Sequence, residues 1–268
     1  MMEIITAITE IGDRVREIRA QGRTIGFVPT MGALHPGHLS LVEKARADND
    51  IVIVSIFVNP TQFNDKGDLE HYPRTFESDR RLLQEARTDI LFFPEADGLY
   101  RDEFRFKVTE SPLSEELEGA HRSGHFDGVL TVVMKLLSLI RPDRAYFGEK
   151  DWQQFILVRD MAAAFFLETE IVPCPVIREP DGLAMSSRNT RLSAEERRRA
   201  AYFSEVLRGR GTTDEKKRAL KDAGFEVDYL EERDGRTLGA VVLGRVRLID
   251  NVKLSETEKL HEIVFGHR

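Results

Sequence analysis

The chain has 268 residues, 41% hydrophobic and 32% charged, enough for a sizeable core in one large domain or a large domain with a small companion. Its 39 Lys and Arg stand against 46 Asp and Glu, and the net charge of -7 excludes a general nucleic-acid binder. The single cysteine, Cys174 between two prolines, excludes an internal disulfide and a cysteine-rich metal cluster, and suits a small buried residue.

The opening "MMEIITAITEIGDRVREIRA" lacks a basic-then-apolar leader pattern. No run of about 18 apolar residues marks a membrane span. A cytoplasmic chain without membrane contact is therefore expected. Ile8, Ile11, Val15 and Ile18 recur at helical spacing, so a first amphipathic helix is expected there. "TIGFVPT" then reads as a buried strand and "PGHLSLVEKARAD" as the helix after it. "IVIVSIFV" (Ile51 to Val58) is almost wholly apolar and β-branched, which fits a central parallel strand covered on both faces.

After a polar loop come a helix near Phe76 to Arg87 and the strand "DILFFP". "FRFKVTE" is open between an edge strand and an insertion. Val129, Val132, Val133, Leu136, Leu137 and Ile140 mark a helix with a broad apolar stripe. "RAYFG", "DWQQFILVRDMAAAFF" and "TEIVPCPVI" continue the alternation as strand, helix and strand. The pattern predicts an α/β fold with a Rossmann-like, doubly wound parallel sheet over residues 1–177. From 178 to 268 the alternation fades into charged helices and two strand-like runs, "FEVDYLEE" and "AVVLGRVRLIDNV". A small C-terminal α+β domain is expected there.

The join "FVPTMGALHPGH" concentrates chemistry at a strand-to-helix turn. The amino end of a helix at the carboxyl edge of a parallel sheet favours anions, and Pro36 suits the first helical turn. Gly32 and Gly37 allow close approach to the backbone. His35 and His38 are expected to share one face of a bare helix start, as imidazole donors to phosphate oxygens. Capped surface histidines and a metal pair are the competing readings; no further histidine or acid at ligand spacing supports zinc.

Three further stretches fall at strand ends. "SIFVNPTQF" places Asn59 and Gln62 beyond one strand, as amides able to bind hydroxyls and carboxylates. "FGEKDWQQF" offers Lys150 to a phosphate, with Gln154 reaching inward. "DGLAMSSRNTRL" offers Ser186, Ser187 and Arg188 to an anion. Taken singly, these read equally as a turn, a solvated cap and a flexible loop.

Together, the strand into His-x-Gly-His and the distant Met-Ser-Ser-Arg loop resemble the HxGH nucleotidylyltransferase superfamily. Within it, "PTMGALHPGH", "SIFVNPTQF", "HYPRT", "GHFDGV", "FGEKDWQQ" and "DGLAMSSRN" are similar to the pantothenate synthetase (pantoate–β-alanine ligase) family. "RLIDN" is the best piece of a looser C-terminal match. The resemblance implies ATP-dependent condensation of pantoate with β-alanine through pantoyl adenylate, with magnesium accompanying ATP, and a homodimer. It implies catalytic roles for His38, His35, Lys150, Arg188 and Ser186. ATP contacts would come from Met31, Gly32, Ala33, Leu34, His35, Pro36, Gly37 and His38. Gly148, Glu149, Lys150, Asp151, Ile177, Met185, Ser186, Ser187 and Arg188 would add to them, with Asp151 towards ribose or magnesium. Substrate contacts would come from Gln62, Gln154, Asn59, Arg122, Pro29, Val132 and Val133, and no metal-ligand set is expected in the chain itself. Three departures from the pattern stand out: Trp152 replaces the usual Phe or Tyr, Ser123 replaces Pro, and the C-terminal domain is short, with a compressed "LRGRGTTDE" connection. A related enzyme with another acceptor, or a non-catalytic nucleotide sensor, are the rival readings.

Overall fold

The computed structural model describes residues 2–64 and 66–254. Its contacts divide into two compact units, Met1–Val176 and a second beginning at Ile177, one residue ahead of the expected division.

The first unit is built on six parallel strands: β1 (Glu3–Ile5), β2 (Ile25–Thr30), β3 (Ile51–Ile56), β4 (Ile90–Phe92), β5 (Arg144–Gly148) and β6 (Glu170–Cys174). Their order in the sheet is β1-β4-β3-β2-β5-β6. Successive side chains on a strand point to opposite faces, so each central strand feeds two cores. Phe27, Ile53, Phe92 and Phe147 pack on one face against α1 (Ile8–Ala20), α7 (His125–Ile140) and α8 (Trp152–Ala164). Val28, Val54, Leu91 and Tyr146 pack on the other against α2 (Pro36–Asp48) and α4 (Phe76–Glu85). The sheet is thus doubly wound. Between these lie single-turn helices α3 (Lys66–Glu70), α5 (Ala96–Leu99) and α6 (Glu118–His121).

Two details differ from the reading of the sequence. β1 was not expected: three residues are too few for a periodic signal, and its pairing with β4 supplies what propensity does not. "FRFKVTE" forms no strand. Its Val108 N–H donates to Thr131 Oγ1 of α7 at 2.9 Å, and the nearby Phe106 N–H to Asp102 Oδ2 at 3.0 Å. Side chains, not a ladder, satisfy that backbone.

The second unit packs α9 (Ala194–Arg208) and α10 (Thr213–Asp222) on an antiparallel sheet of β7 (Glu226–Arg233), β8 (Arg236–Leu243) and β9 (Val246–Lys253). Both helices open with a capping box, Ser193 with Glu196 and Thr212 with Glu215. The run "AVVLGRVRLIDNV", expected as one strand, is a hairpin. Leu243 pairs with Val246 across a two-residue turn, and Gly244 takes φ +61°, a value that suits glycine. Buried Asp250 receives Arg178 Nη1 and Nη2 at 2.7 and 3.0 Å and Ser204 Oγ at 2.6 Å.

Candidate active site

The chain leaves β2 through α2 towards β3, while β5 flanks β2 on the other side. The order thus reverses at β2 and β5, and doubly wound sheets bind ligands at the carboxyl ends of the strands at such a point. The segments after β2, β3 and β5 carry Met31 to His38, Asn59, Gln62 and Glu149 to Asp151, while Arg122 follows α6, Val132 and Val133 lie in α7 and Gln154 in α8.

The loop Met31–Leu34 turns sharply, with Gly32 at φ +82° and Ala33 at φ +50°. An alanine in the left-handed region costs about 1–2 kcal/mol, so something must hold it. That group is Asp79 of α4, 2% exposed, which accepts the Ala33 and Leu34 amides at 2.9 and 2.8 Å. Thr75 Oγ1 steadies the carboxylate at 3.1 Å. The Gly32 amide goes to Thr30 Oγ1 at 3.2 Å. Asp79 was missed in the sequence; its only trace is its place four residues after Thr75 at a helix start.

Next comes the histidine pair. His35 is the N-cap of α2 and Pro36 its first residue. His35 Nδ1 accepts the Gly37 amide at 3.1 Å, and His38 Nδ1 accepts the His35 amide at 3.4 Å. The rings lie 4.0 Å apart, centroid to centroid. The expected bare helix end is therefore corrected, because imidazoles take up the amides that would have met an anion. Burial lowers His35 to about 4 and His38 to about 3, helped by Lys150 for the first and by His35 for the second. Both rings are neutral near pH 7. With each Nδ1 accepting, each proton sits on Nε2, leaving two N–H donors rather than two cations. Lys150 and Asp151, in the turn Glu149–Asp151 after β5, act on both rings electrostatically, and the Lys150 ammonium lies 3.6 Å from Asp151. Gly148 precedes this turn with open space around its Cα.

The loop after β3 is fixed from within. Asn59, 1% exposed, donates to Gln62 Oε1 and to the Gly128 carbonyl at 3.1 Å each. Its Oδ1 accepts Tyr100 OH at 2.8 Å and Thr61 Oγ1 at 2.9 Å. The Asn59 amide is thus engaged on both sides within the protein and supports this turn. Gln62 Nε2 approaches Met31 Sδ at 3.1 Å, which joins the β2 and β3 loops. A side chain at Gly128 would press on this turn, its Cβ falling 2.5 Å from the Thr61 carbonyl oxygen.

Further contacts complete the first unit. Pro29 is half-buried at the end of β2, while Val132 and Val133 are buried in the core cluster that includes Phe57. Of the two adjacent glutamines in α8, Gln154 is half-buried and Gln153 buried. Gln153 Nε2 donates to the Leu113 and Glu116 carbonyls at 2.7 and 2.8 Å, and its Oε1 accepts the Glu118 amide at 3.0 Å. It pins the segment leading to Arg122, a task with no periodic signature. His125 bonds the Gln62 carbonyl and meets Arg122.

In the second unit, Ile177 O accepts the Met185 amide at 3.0 Å. Ser186 caps the turn Ser187–Arg191 by accepting the Arg188 amide at 3.2 Å, and buried Asn189 donates to the Ala184 carbonyl at 3.1 Å. No cluster of three or more His, Cys, Asp or Glu able to hold a metal occurs among the described residues, and no helix there is long and apolar enough to cross a membrane.

The chain is similar in sequence and fold to known proteins. The family description "Pantoate-beta-alanine ligase" matches residues 3–253. The pantothenate synthetase of Bdellovibrio bacteriovorus is 52% identical over 236 residues, 88% of this chain and 94% of that protein. That of Coxiella burnetii is 48% identical, over 88% and 91%. The crystal structure of the Francisella tularensis pantoate-beta-alanine ligase, complexed with beta-gamma ATP and beta-alanine, superimposes with a TM-score of 0.90 at 40% identity, covering 94% of this chain and 98% of that one. The Thermus thermophilus pantothenate synthetase gives 0.85 at 41% identity, over 94% and 99%. The chain whose β2 turn presents two tautomer-locked imidazoles at the switch point belongs to the pantoate-beta-alanine ligase family.

Proposed function

We propose that the chain condenses pantoate with β-alanine at the cost of ATP. In the first step a pantoate carboxylate oxygen attacks the α-phosphorus of ATP; the new P–O bond gives pantoyl adenylate and the α–β bridge breaks to release pyrophosphate. In the second step the amine of β-alanine attacks the activated carbonyl, forming the amide and releasing AMP. Magnesium would enter with ATP as part of the substrate, offsetting phosphate charge, and the half-exposed Asp151 would offer it a carboxylate.

Negative charge grows on the α-phosphate and on the departing pyrophosphate, so donors aimed there in advance lower the barrier. His38 and His35 supply Nε2–H groups and Lys150 an ammonium. Met31 to Leu34 and Gly148 to Asp151 border the nucleotide. Ser186, Ser187 and Arg188 of the second unit add donors to the phosphates, with Ile177 and Met185 beside the adenine. Gln62 and Gln154 orient pantoate, Arg122 attracts its carboxylate, and Pro29, Met31, Val132 and Val133 face its methyl groups. A homodimer and a cytoplasmic setting belong to the same reading.

The observation that carries it is the capping box, which fixes both imidazoles as neutral Nε2–H donors at the sheet's switch point. The test is exchange of labelled pyrophosphate into ATP, dependent on pantoate and without β-alanine. Exchange followed by pantothenate formation when β-alanine is added supports the assignment; neither occurring rejects it. Light scattering on the purified chain checks the dimer.

A further inference from the structure

His125 is 7% exposed at the first turn of α7, and both its ring nitrogens are occupied. Nδ1 stands 2.8 Å from the Gln62 carbonyl oxygen, which only accepts, so the proton is on Nδ1. Nε2 stands 3.0 Å from Arg122 Nη1, which only donates, so Nε2 carries the lone pair. The two partners thus select one neutral tautomer. A second proton would set two N–H groups face to face, and burial together with the Arg122 charge holds this histidine down at about 4.

The bond network extends on both sides. Arg122 Nη1 lies 3.8 Å from Glu118, whose amide Gln153 holds from α8. Gln62 is tied in turn to Asn59 and Met31. Ordinary helix packing accounts for a buried ring, but not for a ring whose two nitrogens bridge two groups assigned to the same substrate.

We propose that His125 is a positioning residue for pantoate, holding the Gln62 turn and the Arg122 guanidinium in one fixed relation as a neutral Nδ1–H bridge. The inference rests on the pantoate roles given above to Gln62 and Arg122. Its consequence is selective. Loss of the bridge loosens the pantoate site while the nucleotide donors on α2 and after β5 keep their own supports.

Two substitutions divide the bridge. In His125→Asn the side-chain amide stands where Nδ1 stood and keeps the Gln62 bond. In His125→Gln it reaches the Nε2 position and keeps the Arg122 contact. His125→Ala loses both. Steady-state kinetics on the full chain should show His125→Ala raising KM for pantoate by about tenfold to a hundredfold, as misplacement of an orienting group does, with KM for ATP little changed. Asn and Gln should each restore part of that loss. In the wild type, ¹⁵N spectra of labelled histidine at pH 7 should show His125 protonated on Nδ1 alone. An unchanged KM for pantoate in the alanine variant, an equal rise for all three substrates, or a ring protonated on Nε2 overturns the proposal. A wild-type chain without pantoate-dependent exchange would instead overturn the parent assignment.

Discussion

His35 and His38 hold each other's place: the His35 ring caps the Gly37 amide while the His38 ring caps the amide of His35 itself. In the usual capping box a serine or threonine and a glutamate play these parts. Here the same bonds are made through Nδ1, so the outer nitrogens stay available as donors, and structural support and chemistry share one pair of rings.

A first prediction separates those two uses. His38→Ala should lower pantoate-dependent pyrophosphate exchange by about 10²–10³, the usual effect of removing one preorganised donor. His38→Gln, which returns an N–H near the Nε2 position, should recover more of it than His38→Asn. Equal rates for the glutamine and asparagine variants, or near-wild-type turnover in the alanine variant, would remove the donor role.

A second prediction concerns acid. His35, His38 and His125 are lowered from 6.5 to about 4, 3 and 4, each chiefly by burial. The unfolded chain therefore takes up protons near pH 6.5 that the native chain refuses. Stability from these groups is fully present above pH 6.5, declines as pH falls, and is exhausted below about 3–4. Urea midpoints should fall steadily from pH 6.5 to pH 4.5, above the main carboxylate range. A flat profile over that interval would contradict the native pKa values.

A third tests the clamp on the β2 loop. Asp79→Ala leaves a buried and a half-buried amide and a strained Ala33 without their acceptor, and should cost about 3 kcal/mol in urea unfolding. Residual folded protein should lose exchange activity more than tenfold, since the histidine turn starts at this loop. Asp79→Asn should retain part of both. Full activity in Asp79→Ala would show that the loop holds its shape unaided.

The fourth uses crowding. Gly128→Ala places a methyl 2.5 Å from the Thr61 carbonyl oxygen and 2.7 Å from the Gln62 nitrogen, backbone atoms that yield only if the turn moves. Overpacking of this kind costs about 1–3 kcal/mol. KM for pantoate should rise with little change in KM for ATP. An unaltered pantoate KM would separate Gln62 from that substrate.

Much of the architecture was legible because it is periodic. The almost wholly apolar run Ile51–Ile56 fits a strand covered on both faces, and "PGHLSLVEKARAD" matches α2 residue for residue because proline marks its start. The short β1 and the β8–β9 turn were not legible. A three-residue strand depends on its partner, and one glycine inside an apolar run does not announce a reversal.

For the site, sequence by itself determined which chemistry-bearing groups arrive just past strand ends: His35, His38, Gln62 and Lys150 sit in segments whose position follows from alternation. Only the tertiary structure decided what state and aim those groups have. The imidazoles owe their neutrality to burial, while Asn59 and the anchors Asp79, Gln153 and His125 each bond a partner between 35 and 69 residues away. Local pattern places residues along a chain; desolvation and distant hydrogen-bond partners, which pattern does not encode, set how they are charged and where they point.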